Sequence, residues 1–391
     1  LNLLFYSKEA LFLLLVKFFM KLSLKSLVSG LLLSAALLSC KKNDETPVTY
    51  STVAVGPNHS LFVSENVLWA SGRNIFGQIG DGSTQTVTTA EKIMTDVKDV
   101  SAFGEYTLIL KTDNTLWATG DAGDGALGTG KYGKELSPVK VMSDVKKVSA
   151  GFSHSLVLKN DNTLWGSGAN YDGQLGITDE ATTTFQKLMT DVKDIAAGNV
   201  HSLILKNDNT LWVLGGNYYG QLGTEDPKYN NVTTAVKVMS DVKAIAAGGN
   251  HSIIIKTDNS VWTSGRNNYG QLGNGTSAYS AMNNKFMQIM TDAKSIKAGF
   301  NYSLVLKSDN SLWAFGYNDD GELGDGTYNI VSTPKQVLTD VKAFAAGMAH
   351  TLVLKNDGTF WATGYNGYGQ FGNGTTSNQQ NTFVKISISN K

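Results

Sequence analysis

Seven tryptophans constrain what this chain can become. Trp69, Trp117, Trp165, Trp212, Trp262, Trp313 and Trp361 follow one another at intervals of 48, 48, 47, 50, 51 and 48 residues. A period near fifty, held this long, means one supersecondary unit repeated, each copy covering faces that its neighbours would otherwise expose. The surroundings of each Trp repeat as well. The run Ala196-Ala197-Gly198-Asn199-Val200-His201-Ser202-Leu203 leads to Trp212, and Ala345-Ala346-Gly347-Met348-Ala349-His350-Thr351-Leu352 leads to Trp361. A Gly-rich stretch follows each Trp, as in Gly265-Arg266-Asn267-Asn268-Tyr269-Gly270-Gln271-Leu272-Gly273. Next come a variable loop, a short apolar run and a Thr/Ser-Asp-Val-Lys closure.

One unit can be read physically. Ser202 to Lys206 and Leu211 to Leu214 are short β-prone runs. Between them, Asn207-Asp208-Asn209-Thr210 predicts a tight hairpin, because Asn and Asp tolerate positive φ; Gly358 replaces Asn209 in the last copy. Val242 to Ala247 and Val236 to Met239 mark two further apolar runs, which makes four antiparallel strands per unit. No segment carries a helical period. Leu203, Ile204 and Leu205 make the strands apolar on both sides, so each sheet must be covered on both faces. Four-stranded sheets repeated radially form a β-propeller. Residues 50–391 number 342, about 49 for each of seven units. The expectation is an all-β, seven-bladed propeller of four-stranded antiparallel blades. Val53 to Gly56 has the character of a first strand and Phe383 to Ile386 that of a last. Closure of the ring is therefore expected through pairing of the N- and C-terminal strands.

The repeat resembles the regulator of chromosome condensation family. The resemblance rests on Ala-Ala-Gly-x-x-His-Ser-Leu, the Trp and Gly-x-Asn-x-x-Gly-Gln-Leu-Gly, and it covers residues 50–391. It implies the seven-bladed fold. The guanine-nucleotide exchange of the founding member does not carry over, because the shared residues are framework and framework does not specify function.

The first forty residues differ from the rest. Met20 to Lys25 is a short basic segment, Leu27 to Leu38 is apolar, and Leu37-Leu38-Ser39-Cys40 ends it with the chain's single Cys. This pattern is read as a bacterial lipoprotein signal over residues 20–40 with lipidated Cys40, since Leu27 to Leu38 is shorter than the roughly 20 apolar residues of a spanning helix. Residues 1–19 read as an upstream extension and residues 41–49 as a tether. The implied location is the bacterial cell envelope, at the outer membrane, with the chain held by lipid.

Charge and composition narrow the function. Lys+Arg and Asp+Glu are both 33. Without the leader's four Lys and one Glu the balance is 29 to 32, net −3. A nucleic-acid binder needs a basic surface, so no nucleic-acid partner is expected. One Cys leaves no disulfide framework and no Cys-based zinc site. His59, His154, His201, His251 and His350 all occupy one repeat position, which Tyr106 and Tyr302 fill in the other copies. Tyr cannot replace imidazole as a base, and one member per blade cannot share one ion. These five His and the seven Trp are therefore read as framework. Asp121 and Asp124, and Asp319, Asp320, Glu322 and Asp325, lack calcium-loop spacing and read as solvated turns. No catalytic residues, metal or cofactor are assigned.

What varies between repeats points elsewhere. Strand alternation places the turn after Ala-Gly and the Gly-Gln-Leu-Gly loop on one side of the ring, together with the long loops from Thr224 to Thr234 and from Asn274 to Lys285. That side gathers Phe76, Phe152, Tyr171, Tyr218, Tyr219, Tyr269, Phe300 and Tyr368. Aromatic rings in turns suit an interface, bringing large area at low entropy cost. The sequence thus suggests a monomeric, non-enzymatic, protein-binding lipoprotein. Carbohydrate binding on the same face is the alternative, and a polysaccharide lyase or hydrolase with a site in the channel is the third reading.

Overall fold

The structure is a computed structural model that describes residues 51–278 and 282–388. Cys40, the signal segment and the tether lie outside the described residues. Those residues build seven sheets of four strands each, every sheet made from four consecutive strands paired antiparallel. The blades span 52–94, 97–142, 145–189, 192–239, 242–290, 293–338 and 341–386. They are numbered 1 to 7, with strands counted outward from the channel.

Blade 4 shows why the sequence folds this way. Its strands are Val192–Ala197, His201–Lys206, Leu211–Gly215 and Val232–Met239. The second strand is buried along all but its last residue, because Leu203 and Leu205 face one neighbouring blade and Ile204 the other. The fourth strand, at the rim, is mostly half-buried or exposed and correspondingly polar. Hydrophobic burial is thus concentrated between blades, and no blade can cover its own faces alone.

The hairpin between the second and third strands carries the repeat's most regular hydrogen-bond relay. Asn209 takes φ 63°. The Asp208 carboxylate accepts from the Thr210 backbone N–H at 3.0 Å and from its hydroxyl at 2.6 Å. The Trp212 Nε1–H then donates to that hydroxyl oxygen at 2.9 Å. Lys206 lies over the Trp ring at 5.4 Å. The same Asp–Thr/Ser–Trp relay recurs in blades 2, 3, 5, 6 and 7. Blade 1 instead turns through Glu65 and Asn66, both at positive φ, as a two-residue hairpin requires.

The ring position once open to a catalytic reading holds the blades together. His154 Nε2 meets Ser202 Oγ at 3.1 Å, across a blade boundary. Equivalent bonds join His59 to Thr107, His201 to Ser252, His251 to Ser303 and His350 to Ser60. Where Tyr stands instead, its hydroxyl donates to the next blade's backbone, Tyr106 to His154 O and Tyr302 to His350 O. In six blades a glycine stands three residues before this position, where space is tight: a Cβ on Gly198 would sit 2.5 Å from His201 Cε1 and 2.6 Å from Gly248 O. Blade 2 departs from this, with Phe103 in the slot.

Closure differs from the sequence expectation. The N- and C-terminal strands do not pair. Thr52–Val55 pairs within blade 1, and Gln379–Ile386 within blade 7. The reason lies in the order of units: the first described strand is a first strand and the last described strand a fourth, so each blade is made of four consecutive strands. The ring is sealed as at the other boundaries, by packing. Val53, Val55 and Phe62 join Ala345, Leu352 and Phe360 in one cluster, and the Phe62 and Phe360 rings meet edge-on at 5.6 Å. The Ser60–His350 bond and Ala90 N–H donating to Gly372 O complete the seam.

Candidate functional site

The Gly-rich loop is a rigid bracket for two variable residues. In blade 3, Asn170 Oδ1 accepts from Leu175 N–H at 2.8 Å, and Gln174 Oε1 accepts from Asp172 N–H at 3.0 Å. The pair Tyr171-Asp172 is thereby held at the loop tip. The same Asn and Gln bonds set Ile75-Phe76, Tyr218-Tyr219, Asn268-Tyr269 and Gly367-Tyr368. In three of the pairs the first residue is exposed: Ile75, Tyr171 at 62% and Tyr218 at 55%. The second is half-buried or close to it and lies toward the neighbouring blade.

The eight aromatic candidates fall into three environments. Four rings carry a cation of this chain: Phe76 lies under Lys134 at 4.7 Å, Tyr219 and Tyr269 under Arg266 at 4.8 and 5.9 Å, and Tyr368 under Arg73 at 5.6 Å. Two, Tyr171 and Tyr218, donate their hydroxyls to carboxylates of the preceding blade, Asp124 at 3.4 Å and Asp172 at 2.5 Å. The last two sit at the channel mouth. Phe300 stacks on Phe103 at 6.3 Å, and Phe152 packs on Phe300 at 6.4 Å. Phe103 belongs to blade 2 and Phe300 to blade 6, so this stack spans the mouth on the loop face.

Below the stack the channel holds about 280 Å³. Its wall carries Asp99, Lys147, Asp194 and Lys297 among Ala and Ser side chains. Lys147 and Asp194 form an ion pair. Enclosure raises the Asp99 carboxyl pKa and lowers that of the Lys297 ammonium, while their attraction works against both shifts. These four charges balance one another, Lys294 adds a further cation to the lining, and the group lies beneath an aromatic cap. The sequence reading missed it, because these residues sit on first strands of four different blades; the signal that could have found it is Lys297, which stands where the other blades carry Ala54, Ser101, Ser149, Ala196, Ala246 and Ala345. Phe103 was missed because blade 2 reads Ala-Phe-Gly where blades 3 to 7 read Ala-Gly.

The acidic loop of blade 6 does not converge on a common point. Asp325 pairs with Lys335 at 2.7 Å, and Asp320 accepts from Gln379 at 3.0 Å. Glu322 is wholly buried in the slot that Gln fills in five other blades and Ala126 in blade 2. Among the described residues, no group of three or more His, Cys, Asp or Glu could hold a metal ion.

Comparison with known proteins agrees with this geometry. The family model for the RCC1-like domain matches residues 88–391. The chain belongs to the RCC1-like domain family. Solved structures of this fold include yeast RCC1 (Prp20) bound to Kap60, with a TM-score of 0.74 at 20% identity over 88% of this chain and 86% of that one. Prp20p from Saccharomyces cerevisiae, described with its binding properties to Gsp1p and histones, aligns with a TM-score of 0.74 at 19% identity over 86% of this chain and 87% of that one. Human WBSCR16 aligns with a TM-score of 0.70 at 21% identity over 80% and 87%. At these identities the likeness concerns the RCC1-like fold alone. No curated protein matches the sequence.

Proposed function

We propose that this RCC1-like propeller is a non-enzymatic lipoprotein of the bacterial envelope, held by lipid on Cys40, that binds a protein through its loop face. One observation carries the reading: rigidly bracketed rings stand exposed on that face, while the Phe103–Phe300 stack caps the channel where a substrate would otherwise enter. Exposed Tyr and Phe on a preorganised frame suit an interface, because little side-chain entropy is lost on binding. Yeast RCC1, whose structure was solved with Kap60 bound, supports the reading by analogy, since a protein with this fold binds a protein partner.

The test is affinity capture from envelope extract on immobilised full-length chain. A parallel column carries Phe76, Phe152, Tyr171, Tyr218, Tyr219, Tyr269, Phe300 and Tyr368 changed to Ala. A protein retained by the first column and lost from the second is the expected result. Equal retention on both columns moves the interface to the hairpin face and overturns the proposal.

A further inference from the structure

The loop face treats its rings unequally. Phe76, Tyr219, Tyr269 and Tyr368 are each covered by an Arg or Lys of this chain. Among the described residues no such cation lies over Phe152, Tyr171 or Tyr218, although these are exposed by 39%, 62% and 55%. A ring face is electron-rich and attracts a cation most strongly where water is partly excluded. The fold thus covers four of these rings with its own side chains and leaves open Phe152 and Tyr171 in blade 3 and Tyr218 in blade 4.

The edges of the open slots are anionic. Tyr171 and Tyr218 occupy the same repeat position, and Asp124 and Asp172 share the next one. Asp124–Tyr171 and Asp172–Tyr218 are therefore two copies of one pair, set one blade apart. Both carboxylates are half-buried, and among the described residues neither has a cation within ion-pair distance. Asp124 also lines a pocket of about 80 Å³ with Glu105, Asp121 and Phe152. That pocket combines three carboxylates with one aromatic rim. Only Glu105 is already paired, with Arg73 at 3.4 Å.

We infer that blades 2 to 4 of the loop face dock a basic segment of a protein partner, its Lys or Arg side chains lying over Phe152, Tyr171 and Tyr218 and beside Asp124 and Asp172. The inference rests on the protein-binding reading of this face and names the chemistry of the partner. A guanidinium suits the slot best, since it stacks on a ring and bonds a carboxylate at once. The repeat of the Asp–Tyr pair favours a segment with more than one cation.

The test uses the full-length chain and a labelled peptide of alternating Arg and Gly, with the Glu–Gly peptide as control, read by fluorescence anisotropy. D124N/D172N removes two charges and keeps an acceptor for each Tyr hydroxyl, so the fold is undisturbed. The expected result is that the Arg–Gly peptide binds, that added salt weakens it, and that D124N/D172N weakens it by about tenfold or more. Y171A/Y218A is expected to weaken it as well. No binding of the Arg–Gly peptide, or equal binding to wild type and D124N/D172N, overturns the inference. So does a chito-oligosaccharide that binds, ignores D124N/D172N and is lost with Y171A/Y218A. If the basic peptide fails while removal of the eight rings still abolishes capture, the loop face stands and only its basic partner falls. If capture also survives removal of the rings, the loop face itself falls.

Discussion

Acidification is expected to unfold the ring cooperatively, with a midpoint at about pH 5 from the five framework histidines. Each imidazole is buried between blades. The Ser202 hydroxyl gives its hydrogen to Gln174 O at 2.7 Å, so His154 Nε2 must be the donor to Ser202 Oγ. The same reasoning fixes His59, His201 and His251, whose partners Thr107, Ser252 and Ser303 donate to backbone carbonyls. In these four rings Nδ1 is left as a buried lone pair with no partner, and the His350 Nδ1 is likewise buried without a partner. A second proton would place an N–H and a charge where no acceptor exists. Burial accordingly lowers the pKa from 6.5 to about 3 for His59, His154, His201 and His350, and to about 4 for His251.

The sign follows from proton counting. Between pH 6.5 and about 3 the unfolded chain binds protons that the folded ring refuses, so stability falls as pH falls. Each group contributes about 1.4 kcal/mol per pH unit in that window. The five together contribute about 7 kcal/mol per unit, against a total stability of about 5–15 kcal/mol for a folded protein. Tryptophan fluorescence and proton uptake measured through the transition check this. Uptake of about five protons is expected, and His201→Gln should remove about one of them. The hairpin Asp residues act only lower, since their bonds to Thr or Ser hold them below 3.8. A ring that stays folded to pH 3 contradicts the histidine account.

Alkali should loosen blade 6, with the opposite sign. In five blades a Gln carbonyl oxygen accepts from the backbone N–H two residues back, at 2.9 to 3.0 Å. In blade 6 Glu322 Oε2 takes that role toward Asp320 N–H at 3.1 Å, and Oε1 has no partner. A protonated carboxyl reproduces the shape and polarity of the Gln amide; a carboxylate does not. Burial, with Asp320 and Asp319 nearby, pushes the Glu322 pKa up from 4.5 to about 8. Tyr302, on the adjoining strand, is buried and stays neutral. The folded ring holds this proton where the unfolded chain has lost it. The stability it contributes is complete below about pH 4.5 and is lost as pH rises toward 8. The loss is on the order of 3–5 kcal/mol. Glu322→Gln should abolish that slope and raise the thermal midpoint at pH 9. A parallel pH dependence in wild type and Glu322→Gln would contradict it.

These two slots show what the sequence could and could not disclose. The period of the Trp residues, the hairpin Asn and Asp, and the strand alternation are local, so blade number and strand number were legible. The exchange of His for Tyr at one repeat position already pointed to a bond between blades rather than to catalysis. Closure was misread because both ends match the repeat: Val53 and Ile386 look like strands awaiting partners, but each already has one in its own blade. The channel mouth was not legible, because Phe103 and Phe300 meet across the ring with nearly two hundred residues between them. Nor were the cations over Tyr219 and Tyr368 legible, since Arg266 and Arg73 reach those rings from the next blade. Sequence spacing names the loop-tip residues and their side of the ring. Which rings are already covered is a property of packing.

The central claim is that the loop face is the working surface. Hydrogen–deuterium exchange of the full-length chain, alone and with the protein retained on the capture column, tests it most directly. The account predicts protection in the turns and Gly-rich loops of blades 2 to 4, around Phe152, Tyr171 and Tyr218, with the hairpins around Asn162 and Asn209 unchanged. Protection confined to those hairpins and to the Ser/Thr-Asp-Val-Lys crossovers would contradict it.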